Sequence, residues 1–201
     1  MKSKIYSLVA TGCMLMGMNT AFSGEMHLYP FRPEQSAEAV TPDANFYPLH
    51  CGWLNNKFIA NDAISLGDRS QWRVAHETLD ILADWVTGDP IVVSPNYTPL
   101  SPFPYWIKNV RTDKSVMASL FLGSEEFGKN SHWIIHIDSE NQRLFLENRL
   151  GFEVDQRDKE KFADWAYKDT VIIGTSNTWF TPYDYILINT ARNQYVRVKI
   201  Y

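Results

Sequence analysis

From residue 115 onward the chain is written in short β-branched and aromatic runs closed by turn-forming residues, a pattern that selects antiparallel sheet. Ser115 to Leu122 is one run, and Gly123 to Asn130 is a polar turn region. His132–Asp138 and Arg143–Arg149 are joined by Ser139-Glu140-Asn141-Gln142, a hairpin by spacing. Val171–Thr175 gives another strand, and Tyr183–Ile188 with Tyr195–Tyr201 a final hairpin. Upstream, Ile91–Ser94 and Trp106–Val110 read as shorter strands around Pro95 to Pro104, where four prolines forbid regular structure.

The two long hairpins look alike. Ile137-Asp138-Ser139 precedes Asn141-Gln142, as Ile188-Asn189-Thr190 precedes Asn193-Gln194. An old duplication would produce this. Shared turn chemistry is the simpler account, because turns select Asn, Asp and Ser.

Two segments carry helical spacing. Asp68 with Gln71 resembles a capping box, and Ala75, Leu79, Leu82 and Val86 recur behind it, flanked by Ile81 and Trp85. Gly88 and Asp89-Pro90 supply the stop. Asp155 opens a second helix through Tyr167, with Phe162, Trp165 and Ala166 as its apolar face. The expected fold is α+β: a single domain over 51–201, mainly an antiparallel sheet of about six to eight strands with two packed helices.

The amino-terminal stretch bears on location. Lys2 and Lys4 precede an uncharged apolar run from Leu8 to Met18, and Ala21-Phe22-Ser23 follows. That order reads as a secretory signal over 1–23 rather than a buried helix, and it is too short to span a bilayer. Ala10-Thr11-Gly12 before Cys13 would suit a lipoprotein, but the apolar run continues past Cys13. The expected address is periplasmic or secreted. Residues 24–50, with Pro30, Pro33, Pro42 and Pro48, read as an extended arm that can pack Tyr29, Phe31, Phe46 and Tyr47 on the domain.

Losing residues 1–23 shortens the 201-residue chain to 178. It lowers the 19 basic side chains to 17 against 23 acidic ones, a net charge of −6. Nucleic acid is disfavoured as a partner, as is a polybasic membrane contact. No second apolar segment reaches membrane-spanning length. No phosphate-cradling glycine loop, dinucleotide fingerprint, nucleophile elbow or metalloenzyme motif occurs, so no cofactor and no metal are expected.

Without Cys13, Cys51 is the one remaining thiol, and an internal disulfide is impossible. A thiol becomes nucleophilic when a histidine takes its proton and a third group orients the ring. On a strand, His132, His136 and Asp138 share one face, and the hairpin partner carries Glu147 and Asn148. The order of Cys51-Gly52-Trp53, before a short helix, and His132, on a strand, resembles peptidoglycan-cleaving cysteine amidases of the papain-like kind. The resemblance covers a few residues, and the surroundings of Cys51 depart from the usual nucleophile motif. It implies Cys51 as nucleophile, His132 as base, and Asp138 or Glu147 as the orienting group. The alternative is a buried, inert Cys51 beside the solvated face of an ordinary strand.

A second likeness is to lipocalin-type barrels. Tyr183-Asp184-Tyr185, Ile186-Leu187-Ile188, Arg192 and Tyr195 look like their late strands, and Cys51-Gly52-Trp53 is similar to their opening Gly-x-Trp. It implies a small-ligand carrier. With every catalytic pattern incomplete, the expected function is an exported non-enzymatic binding protein. Its partner would be a protein, such as a toxin or wall enzyme, or a small ligand held by aromatics in the envelope or outside the cell. Tyr105, Trp106 and His136 are candidate ligand contacts.

Overall fold

Each short β-run pairs with its sequence neighbour, and two sheets then close on themselves. The computed structural model describes residues 49–128, 130–178 and 181–201, all within one compact unit. The first barrel holds β1 (Cys51–Phe58), β2 (Ala63–Leu66), β3 (Gln71–Val74), β4 (Pro90–Pro95), β5 (Tyr105–Asn109) and β6 (Lys114–Leu122). The second holds β7 (His132–Asp138), β8 (Arg143–Leu146), β9 (Gly151–Val154), β10 (Thr170–Thr175), β11 (Tyr185–Asn189) and β12 (Gln194–Ile200). This overturns the α+β expectation: the fold is two closed six-stranded antiparallel barrels, and the α-helix among the described residues is a single turn, α1 (Lys159–Phe162). The expected signal, 1–23, and the arm up to residue 48 lie outside the described residues.

The barrels have one topology. Around the first the order is β1-β2-β3-β6-β5-β4, and around the second β7-β8-β9-β12-β11-β10. The correspondence is residue by residue at a constant offset of 80, without insertion or deletion. Trp53 matches Trp133, Asp84-Trp85 matches Asp164-Trp165, and Tyr105 matches Tyr185. Both barrels bulge at the same place, Asn55 in β1 and Ile135 in β7. Left-handed backbone recurs at Asp62 and Gln142, Arg69 and Arg149, Gly88 and Lys168, and Asp113 and Asn193. Turn hydrogen bonds repeat as well: Leu66 N–H donates to Ser70 O and Leu146 N–H to Leu150 O. The chain is an internal duplication. The sequence likeness noticed between hairpins is in another register, since 188–194 answers to 108–114 and not to 137–142.

One polar clamp recurs in both copies. Buried Asp89 accepts from Asn109 Nδ2 at 2.6 Å, Val86 N–H at 2.8 Å and Arg111 Nε at 2.5 Å. Asp169 accepts from Asn189 Nδ2 at 2.6 Å and Ala166 N–H at 2.9 Å, with Arg192 Nε at 3.6 Å. The asparagine oxygens then accept backbone N–H groups of the β5–β6 and β11–β12 turns. The clamp thus ties the entry of the fourth strand to the turn after the fifth.

The expected helices shrink for local reasons. Asp68 does not cap a helix; its Oδ1 accepts from Ser70 N–H at 3.0 Å and closes a turn. Trp72 and Val74 then point into the first core as alternate residues of β3. Only His76–Asp84 turns helically, and as a 3-10 helix, whose repeat of three suits Leu79 and Leu82 as well as an α-helix does. In the second copy Asp155 accepts from Arg157 N–H at 3.0 Å, and 3-10 turn precedes α1. Left-handed Lys168 lies beyond it, at the entry to β10.

The barrels fuse through apolar runs buried on both faces. Leu187 and Ile173 lie in the second core, while Ile172, Ile186 and Ile188 from the outer face of β10 and β11 join the first. This is why Ile186-Leu187-Ile188 shows no alternation. β10 comes so close to β4 that a Cβ on Gly174 would stand 2.4 Å from Val93 O.

Two outcomes follow. Gly174→Val drives a side chain into that junction and lowers stability by about 2 kcal/mol, read by urea denaturation. The hydrogen bonds from the Arg111 guanidinium hold the Asp89 carboxyl at about 2, below its ordinary 3.8. Its folded-state pKa is depressed, so its contribution is present above the ordinary value and is lost as pH falls through about 2. Urea midpoints should therefore fall between about pH 4 and pH 2 more steeply in the wild type than in Asp89→Asn.

Candidate functional site at the junction of the barrels

The barrel interiors are filled: Trp72, Tyr105, Ile107, Phe152, Leu144 and Val198 are buried. The concave surfaces therefore lie outside them. One cavity of about 260 Å³ opens where β1 and β4 meet β7 and β10, lined among others by Cys51, Trp53, Asp68, Ile91, His132 and Ile172. Two residues singled out by chemistry, Cys51 and His132, thus line one recess although they are 81 positions apart and belong to different barrels.

Cys51 begins a strand, not a helix, opposite Val92 of β4. Its thiol is half-buried and donates to Gly52 O at 3.6 Å. Burial pushes its pKa up, with a backbone hydrogen bond at Ile91 partly opposing. His132 stands opposite Val171, a residue of the second core. Its Nδ1 lies 2.8 Å from Glu147 Oε1, and Glu147 Oε2 accepts the Trp133 N–H at 3.0 Å. The carboxylate makes Nδ1 the protonated nitrogen of the neutral ring and leaves Nε2 as an acceptor. Beside them, burial lowers the His50 pKa, and its Nδ1 has no hydrogen-bond partner among the described residues. Burial raises the Asp68 carboxyl, against hydrogen bonds from the Ser70 hydroxyl and N–H.

The other expected residues lie elsewhere. The bulge at Ile135 breaks the alternation assumed for β7, so Ile134 and Ile137 both pack on the second core. His136 is therefore on the outer face, exposed, with its ring 5.9 Å from Phe145, and does not share the face of His132. Asp138 accepts from Asn141 N–H and Nδ2 within its own hairpin turn, which lowers its pKa. Of the two candidate orienting groups, Glu147 is the one that meets His132. Tyr105 is buried edge-on between Trp72 and Tyr195, and its burial raises the phenol pKa. Trp106 is half-buried on the outside of β5.

Trp53, His50 and Asp68 line the recess without having been expected as site residues. Trp53 carried a signal, its repetition as Trp133. The His132–Glu147 pair stands at the positions of Gly52 and Gly67 in the first repeat, so it belongs to one copy alone. Among the described residues no group of three or more His, Cys, Asp or Glu side chains is placed to hold a metal ion, and no helix is long and apolar enough to cross a membrane. No protein-family profile, curated protein or solved structure matches the chain.

The ring assignment is directly measurable. Long-range ¹H–¹⁵N spectra of the neutral protein should show His132 with its proton on Nδ1. Glu147→Ala should shift it toward the Nε2–H form that free histidine prefers and cost about 1 kcal/mol, since the half-buried Trp133 N–H loses its acceptor.

Proposed function

We propose that the protein is an exported, non-enzymatic binding protein acting in the periplasm or outside the cell, with the recess between the barrels as its binding site. The observation that carries this reading is the lining itself. Apolar Leu49, Ile91 and Ile172 surround the hydrogen-bonding groups of His132 and Asn130, the combination of apolar wall and few polar anchors that ligand pockets use. The volume is near the lower end of small-molecule sites, ~300 Å³, so the ligand is small or is a side chain presented by a protein. Export rests on the sequence of residues 1–23.

A second reading, a cysteine hydrolase, draws on the His132–Glu147 hydrogen bond beside Cys51. In it, Cys51 Sγ would attack an acyl carbon, His132 Nε2 would pass the proton to the leaving group, and water would cleave the thioester. The raised thiol pKa favours the binding reading, since the thiolate is the nucleophile.

Alkylation separates the two. Under the binding reading iodoacetamide modifies Cys51 at neutral pH more slowly than in the urea-unfolded chain, and His132→Ala leaves the rate unchanged. A rate above the unfolded control, abolished by His132→Ala, would establish the hydrolase instead. Native mass spectrometry of the chain purified gently from its own cells should show a retained mass that Trp53→Ala releases. Bare protein under the same conditions would count against the binding reading.

A further inference from the structure

The two repeats serve as each other's control, and their outer faces differ in one row. On the second barrel the cross-strand neighbours Asp138, Arg143, Glu153 and Lys199 stand side by side across β7, β8, β9 and β12. Their charges alternate. Glu153 lies 3.9 Å from Arg143 and 2.9 Å from Lys199, and the Arg143 guanidinium lies over the Tyr201 ring at 3.7 Å. This face satisfies itself.

At the same positions the first barrel carries Phe58, Ala63, Arg73 and Ser119, paired in the same order. The acid of the ladder has become Arg73, and both of its basic neighbours are gone. Arg73 is exposed and makes no ion pair with any described residue; its guanidinium rests over Phe121 at 5.4 Å. With Ala63 in place of Arg143, a groove of about 340 Å³ opens between Phe58, Gln71, Arg73 and Phe121. Phe121 is 66% exposed and adjoining Leu122 53%, so large apolar side chains that a monomer normally buries flank an uncompensated cation.

We propose that this face of the first barrel docks a polypeptide segment that presents a carboxylate beside an aromatic or aliphatic side chain. The carboxylate would take the two-pronged hydrogen bond that a guanidinium offers, and the apolar side chain would fill the space over Ala63 against Phe58 and Phe121. Charge complementarity fixes the choice of occupant. In the second repeat the acidic Glu153 stands at the Arg73 position and draws in the basic side chains beside it, so the reversed charge calls for an acid. The proposal is independent of the inter-barrel recess.

The test titrates the ¹⁵N-labelled full chain with acetyl-Gly-Leu-Glu-Phe-Gly-amide and with its lysine-for-glutamate counterpart. The glutamate peptide should shift the amides of Phe58, Ala63, Arg73 and Phe121 with a Kd of about 1 mM or tighter, and the lysine peptide should not. The variant F58D/A63R/R73E/S119K writes the second barrel's ladder into the first and should lose at least about tenfold in affinity, as should Arg73→Glu alone should the quadruple variant fail to fold. Equal responses to the two peptides, shifts confined to residues outside this groove, no response, or unchanged affinity in Arg73→Glu would overturn the proposal.

Discussion

A carboxylate bonded to a buried carboxamide holds each barrel closed, the carboxylate being buried at Asp89 and half-buried at Asp169. Asp89 and Asn109 sit 2.6 Å apart, as do Asp169 and Asn189, and each aspartate also takes a backbone N–H from the segment just before its strand. A charge removed from water is tolerated only when its lone pairs are met, and here the donors come from two separate stretches of chain. The bond therefore fixes where the fourth strand begins relative to the turn between the fifth and sixth. Once those are fixed, the first and fourth strands can pair, as Cys51 does with Val92 and His132 with Val171, and the sheet has no free edge.

The candidate binding features arise where the repeats diverge around this common frame. Two glycines of the first copy, Gly52 and Gly67, correspond to His132 and Glu147, which gives the junction its oriented imidazole. The outward Ile172, Ile186 and Ile188 answer to Val92, Trp106 and Lys108, so the second copy's outer face there is apolar throughout, with Ile188 in place of a lysine, and it is buried against the first barrel's core. The charged ladder of the second barrel and the bare aromatic groove of the first are the third divergence. A symmetric pair would have neither the His132–Glu147 pair at the junction nor the bare aromatic groove.

Much of the sheet was legible because its strands alternate or run apolar between clear turns: β4 to β7 and β10 to β12 fall close to where periodicity puts them. The helices were not. Leu79, Leu82 and Trp85 are spaced alike for a 3-10 and an α-helix, and Asp68 offers its oxygen equally to a cap and to a turn. The repeat was hidden because its identical residues are few and scattered, and because turn residues drew attention to the wrong register. At the site, Cys51, His132 and Glu147 were legible as chemical types. Asp138 and His136 misled because one bulged residue, Ile135, reverses the face of everything after it on β7, and a bulge leaves no mark in local composition.

The duplication makes a quantitative demand, which double-mutant cycles can meet. Alanine substitutions at Asp89 and Asn109, singly and together, and the same at Asp169 and Asn189, give the coupling energy of each pair. Two equivalent clamps require coupling of the same sign in both barrels, about 1–2 kcal/mol each. Coupling near zero in either barrel would mean that the barrels are held closed by different interactions and that the repeat is one of outline alone.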